Sequence, residues 1–137
     1  MGIFNLFGKK DVSTELTKGA PYRLATELVP YKLYAKRKSS STLKIRLRNL
    51  TNEVLLTSVA AELPKPLAFE ATGLTKQREV RIGDLAPNEE KEVQFEVFTT
   101  PGSDPGDYTL SLTAMAHYRD YGRIINAVRK RVMIGVV

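Results

Sequence analysis

The sequence predicts an all-β fold, a two-sheet antiparallel β-sandwich of about seven to nine strands. Three observations carry that prediction. Apolar and polar residues alternate with a period of two, most cleanly over residues 42–49 and 91–98. Clusters of Gly, Pro, Asn, Asp and Ser interrupt the chain roughly every eight to twelve residues. No segment sustains the 3.6-residue apolar period of a helix. A chain of 137 residues suits one domain with a core that needs no crosslinks. Long, directly connected antiparallel strands favour a sandwich over a barrel.

Residues 1–20 read as a flexible or partly helical lead-in, and residues 21–137 as the sandwich. The lead-in joins a short apolar run, Ile3-Phe4-Asn5-Leu6-Phe7, to Lys9 and Lys10, with one helical turn capped by Asp11 or Ser13. Residues 22–29 and 31–36 flank Pro30 and read as one interrupted edge strand, because proline cannot donate to a ladder. Ser39-Ser40-Ser41 is then a turn. Over residues 42–49, Leu43, Ile45 and Leu47 point inward while Lys44, Arg46 and Arg48 face water. Asn49-Leu50-Thr51-Asn52 turns the chain. Residues 54–63 follow as a strand with Val59, Ala61 and Leu63 inward, ended by Pro64 and Pro66. Short strands are expected over residues 67–71 and 78–82, then a loop over residues 83–89. Residues 91–98 place Val93, Phe95 and Val97 inside, with Glu92, Gln94 and Glu96 outside. In the sandwich this strand neighbours residues 42–49, so the basic stripe is expected opposite or diagonal to Glu92 and Glu96. Residues 100–106 form a turn-rich loop.

Two long strands close the chain. Residues 107–118 carry Tyr108, Leu110, Leu112, Ala114 and Ala116 on one face; residues 123–136 carry Ile124, Val128, Val132 and Ile134. Lys130 breaks the second pattern, and a bulge between Asn126 and Arg131 would restore it. Arg119-Asp120-Tyr121-Gly122 is the connecting turn, with Gly122 expected at positive φ.

Three segments in order resemble the immunoglobulin-like CARDB (cell-adhesion-related) domains. Leu43-Lys44-Ile45-Arg46-Leu47-Arg48-Asn49 resembles their second strand, which ends in Asn. Ile82-Gly83-Asp84-Leu85-Ala86-Pro87-Asn88-Glu89 resembles their Gly-x-Leu-x-Pro-Gly-Glu loop, with Asn88 in place of the second Gly. Pro105-Gly106-Asp107-Tyr108-Thr109-Leu110 resembles the start of their penultimate strand. Asp104, Gly106 and Tyr108 also fit the tyrosine corner of immunoglobulin-like sandwiches, in which the tyrosine hydroxyl bonds backbone a few residues upstream. The resemblance implies a structural or binding module in place of an enzyme. It would favour an envelope or extracellular setting.

The residues themselves exclude much chemistry. There is no cysteine, so disulfides, thiolate metal sites and thiol catalysis are ruled out. His117 is the single histidine and reads as a strand-end surface residue. No nucleophile elbow, Walker loop or dinucleotide motif is present, so no catalytic residue, cofactor or metal is expected. The run Ile3–Phe7 is too short for a signal peptide, Leu6 breaks the myristoylation pattern, and no apolar run reaches transmembrane length; a cytoplasmic protein is expected.

Charge points to a partner. The net +6 divides into +5 over residues 1–40, −3 over 41–116 and +4 over 117–137. The C-terminal hairpin gathers Tyr118, Arg119, Tyr121, Arg123, Arg129 and Arg131, and arginine with tyrosine is what interfaces use as anchors. The expected function is a non-catalytic protein-interaction or structural module. Its partner is another protein or a second copy, engaged through an edge strand or this hairpin. The alternative is polyanion binding (nucleic acid or an acidic surface) through the basic hairpin. A solvated, soluble surface accounts for the net charge without any partner.

Overall fold

A computed structural model describes residues 20–137; nearly all of the expected lead-in lies outside the described residues. Nine strands follow one another: β1 (Tyr22–Val29), β2 (Lys32–Leu33), β3 (Ser40–Asn49), β4 (Leu55–Glu62), β5 (Leu67–Ala68), β6 (Gln77–Leu85), β7 (Glu90–Thr99), β8 (Gly106–His117) and β9 (Ile124–Val136). One sheet has the order β1-β3-β7-β5 and the other β2-β9-β8-β4-β6. All pairings are antiparallel except the short β2, which runs parallel to β9 and makes the second sheet mixed.

The period-two pattern fixes which side chains are inside. Leu43, Ile45 and Leu47 of β3 and Val93, Phe95 and Val97 of β7 are buried from one sheet. Val59 and Ala61 of β4 and Leu110, Leu112 and Ala114 of β8 are buried from the other. On the outer face of the first sheet the basic stripe meets acids across strands. Arg46 stands opposite Glu92 at 4.0 Å and Arg48 opposite Glu90 at 3.2 Å, while Glu96 lies opposite Thr42 and diagonal to Lys44. Such half-exposed pairs contribute about 0.2–1 kcal/mol each.

Buried polar groups pin the ends of the sandwich. Asn49 is fully buried. Its amide donates to the carbonyls of Glu53 (2.7 Å) and Leu85 (2.8 Å), and its Oδ1 accepts from Thr51 N and Oγ1. The β3–β4 turn is thereby tied to the end of β6. Tyr22 bonds Thr57 across the core at 2.7 Å, and burial pushes its phenol pKa up against the opposing effect of that bond. At the start of β8 the Tyr108 hydroxyl donates to the Asp104 carbonyl at 2.7 Å, and the intervening Gly106 has φ 153°.

Several expectations are corrected. β1 and β2 are not one interrupted edge strand: β1 pairs with β3, whereas Lys32 and Leu33 pair with Gly135 and Val136 in the other sheet. The chain changes sheets at Pro30, which has no N–H to place in either ladder. Ser40 and Ser41 belong to β3, and the turn lies upstream over residues 35–37. Residues 83–85 continue β6 and do not open a loop. Gly83 (φ 88°) follows Ile82, which is skipped between the Thr57–Gly83 and Ser58–Arg81 pairs, and glycine takes that conformation without a Cβ penalty. Asn88 holds φ 62°, so where the resemblance has glycine this chain uses a residue type that tolerates the left-handed region. The β8–β9 register is unbroken from Gly106–Val136 to Ala116–Asn126, so no bulge lies between Asn126 and Arg131. The register shifts instead at Ile125, which puts Ile124 opposite His117 on the outer side, where it is exposed. In the hairpin turn Arg119, not Gly122, holds the positive φ, at 70°.

Candidate interaction surface

The hairpin residues fall into two groups. Tyr118, Arg119, Tyr121 and Arg123 form the tip. The Arg119 guanidinium lies 5.0 Å from the Tyr118 ring centre, and Arg123 faces Asp120 at 3.8 Å. Arg129 and Arg131 stand further along β9, roughly 20 Å from the tip at the rise of an extended strand. They project from the outer face of the second sheet, opposite Thr113 and Ser111 of β8. Arg129 borders a shallow trough of about 420 Å³ floored by Ala60, Ser111 and Thr113, with Glu62 and Glu79 on its far side. The six residues therefore make a tip cluster and a mid-strand pair, not one continuous patch.

The tip is fastened by a stack that the sequence does not reveal. His117 is only 5% exposed, a correction to its surface reading. Its Nε2 is 2.7 Å from the Oγ of Ser58, which is fully buried, and its ring meets the Tyr121 ring edge-on at 5.0 Å. The Arg81 guanidinium of β6 also lies over the Tyr121 ring, at 4.6 Å. A serine within reach of a histidine has the form of a nucleophile and base. Here, however, Nδ1 of His117 is buried with no hydrogen-bond partner, so no carboxylate orients the ring, and Tyr121 lies against it. The pair serves as an internal polar fastening for the hairpin. Ser58 and His117 are 59 residues apart, and only the β4–β8 pairing brings them together.

The outer edge of β9 is uncovered by strands over most of its length among the described residues. β2 covers it only at Gly135 and Val136, and among the described residues no strand pairs with residues 124–134 on that side. Ile124, Ile125 and Met133 are exposed along this stretch, together with Arg129 and Arg131. Lys130 keeps inward parity, and its Nζ reaches the Leu24 carbonyl of β1 at 3.2 Å. The charge thus bridges the two sheets at their open side.

Sequence reading also passed over the loop after β2. It lies at the far end of β9 from the hairpin tip, since Leu33 pairs with Val136. Its backbone is pinned: Ser39 Oγ accepts from Tyr34 N (2.9 Å), and Thr99 Oγ1 accepts from Ser39 N (3.2 Å). Lys36, Arg37 and Lys38 face Ala71, Thr99 and Thr100 across a cleft of about 420 Å³. The Arg37 guanidinium lies over the Tyr34 ring at 4.2 Å. The signal was present as four cations in residues 31–38 without an acid, but the facing wall comes from residues 60 positions away.

Among the described residues no group of three or more His, Asp or Glu side chains is arranged to hold a metal ion, and no helix is long and apolar enough to cross a membrane. No family model matches the chain, and no curated protein matches it. Solved structures share its fold. A FixG-related protein from Vibrio parahaemolyticus aligns over 85% of this chain and 96% of its own, at 9% identity and a TM-score of 0.54. The alpha-2-macroglobulin of E. coli aligns over 87% of this chain at 25% identity and a TM-score of 0.55, and the match spans 7% of that chain. A CARDB domain from Pyrococcus furiosus, solved in complex with di-metal ions, aligns over 85% of this chain and 87% of its own, at 17% identity and a TM-score of 0.51. The chain is thus an immunoglobulin-like β-sandwich that resembles a CARDB domain.

Proposed function

We propose that this chain is a non-catalytic protein-interaction module whose binding element is the outer edge of β9. The observation that carries this reading is the outer edge of β9 over residues 124–134, on which no strand among the described residues pairs, with exposed Ile124, Ile125 and Met133 beside it. An extended segment added there gains main-chain hydrogen bonds, and side chains at alternate positions supply selectivity. Charge favours a partner segment carrying carboxylates. Antiparallel pairing with a second copy about Lys130 would set Arg129 against Arg131 of the copy, and like charges directly opposite are destabilising.

The reading is tested by affinity capture with the wild-type chain, an Ile125→Lys/Met133→Lys variant and an Arg129→Glu/Arg131→Glu variant, with nuclease present. A protein captured by the wild type and lost with both variants supports the edge as the binding element. Capture that is unchanged in both would sink it. The alternative, polyanion binding at the hairpin, has weaker support: its arginines are split between the tip and mid-strand, and Arg123 already faces Asp120.

A further inference from the structure

We infer that the loop following β2 is a binding site for single-stranded nucleic acid, with phosphate held in the cleft between Lys36, Arg37 and Lys38 and the wall formed by Thr99 and Thr100, and a base stacked at Tyr34. This site lies at the other end of the molecule from the hairpin tip and is independent of the β9 edge.

Three features meet there. First, charge is concentrated without compensation. Residues 31–38 contain Lys32, Lys36, Arg37 and Lys38 and no acid, and among the described residues none of these four is in an ion pair. The stripe on β3 differs in this respect, because its arginines face Glu90 and Glu92. Second, the cations line a concavity of about 420 Å³, within the range of small-ligand pockets and large enough to seat a phosphate with its sugar. Third, aromatic rings are interleaved with the cations. Tyr31 is 71% exposed and Tyr34 43% exposed, with Lys32 at 5.4 Å from the first ring and Arg37 at 4.2 Å from the second. Cations tracking a backbone beside tyrosines open to stacking is the arrangement that single strands use.

The loop is also prepared for binding. Ser39 bridges Tyr34 N and Thr99 Oγ1, and Thr99 Oγ1 donates to the Arg37 carbonyl at 3.3 Å. The backbone that carries Arg37 and Lys38 is therefore held to β7 before any ligand arrives, which reduces the ordering cost of binding. A duplex keeps its bases stacked inside and offers none to Tyr34. A bilayer surface cannot enter the cleft, and the large exposed side chains that residues 31–38 themselves contribute besides the cations are Tyr31 and Tyr34.

The test uses the full chain and a fluorescein-labelled oligothymidylate of about 15 nucleotides, a length within the site sizes of single-strand binders. Anisotropy is read from about 50 to 200 mM salt, a range over which phosphate contacts are strongly weakened. A duplex of equal length is read in parallel. The expected result is binding that favours the single strand. Lys36→Glu/Arg37→Glu/Lys38→Glu should weaken it by at least about a hundredfold and flatten the log–log salt slope by roughly 2, near 0.7 for each phosphate that is no longer neutralised. Tyr34→Ala should weaken it about tenfold, since each stacked base is worth about that much in affinity. Its ring is partly exposed, and the pinning bonds run through Tyr34 backbone and Ser39, so this variant keeps its fold while losing the stack. The assignment is overturned by any of three outcomes: no binding of the oligothymidylate at low salt; equal binding of duplex with no effect of Tyr34→Ala; or loss of binding with Arg119→Glu/Arg123→Glu while the loop variants bind normally. The last outcome would move the polyanion site to the hairpin. None of these results bears on the β9 edge, which the capture experiment reads separately.

Discussion

At the scale of single residues, the strongest constraints are polar groups that the core encloses. Asn49 uses both its oxygen and its nitrogen, with four hydrogen bonds to three residues. Asn49→Ala leaves the Leu85 carbonyl and the Thr51 donors without that partner at a fully buried position. Buried polar groups stripped of partners cost about 1–3 kcal/mol. Urea denaturation should therefore place the variant about 2–3 kcal/mol below the wild type. Asn49→Asp should be no better, because a carboxylate cannot donate to the carbonyls of Glu53 and Leu85. A change under about 0.5 kcal/mol for Asn49→Ala, the level of an ordinary surface substitution, would refute this role. The sequence showed Asn49 at the end of an alternating run, but its partners at Leu85 and Glu53 depend on tertiary structure. His117 illustrates the converse. A lone strand-end histidine reads as solvent-facing until β4 places Ser58 beside it and the hairpin folds Tyr121 over it.

At the scale of elements, alternation and turn residues made most strands legible, because burial of one face dictates which parity is apolar. Residues 42–49, 54–63, 91–98 and 107–118 coincide with β3, β4, β7 and β8 to within a few residues. What failed were the pairings that alternation does not encode. The change of sheet at Pro30 depends on β9, about a hundred residues away, and a bulge leaves no period of its own beyond a parity break that Lys130 happens to mimic. The loop joining β5 to β6 has a different kind of control. The Glu70 carboxylate accepts from Leu74 N (2.8 Å) and Thr75 N (2.9 Å). Hydrogen bonds from Thr75, side chain and backbone, lead the causes that lower its pKa from 4.5 to about 2. A depressed carboxyl stabilises the folded loop above the unfolded value, and that stabilisation is lost as pH falls through the folded one. As the pH falls through about 2 the Leu74 and Thr75 amide resonances should shift together with the Glu70 carboxyl carbon. Glu70→Gln should remove that transition, and a Glu70 midpoint near 4.5 would show that the loop bonds do not hold in solution.

For the molecule as a whole, no strand among the described residues joins the two sheets on the side where the edges of β1 and β9 lie near each other. A long flat edge with exposed apolar residues invites uncontrolled pairing, and natural sandwiches guard such edges with inward-pointing charge. Lys130 fits that description. It occupies an inward position between Val128 and Val132, and its ammonium spans the opening to the Leu24 carbonyl. The parity break that the sequence presents as a defect to be mended by a bulge is then a feature of the edge itself. Its consequence can be measured. Lys130→Leu restores an unbroken apolar face on β9 and removes the central charge from the Arg129-Lys130-Arg131 run. The variant should fold, since one long aliphatic stem replaces another at a half-buried position. Light scattering after size exclusion, repeated over increasing protein concentration, should show it associating at lower concentration than the wild type. Adding Met133→Lys to Lys130→Leu returns a charge to the same edge, three positions away, and should reverse the effect. If Lys130→Leu associates no more readily than the wild type, the inward lysine does not guard the edge.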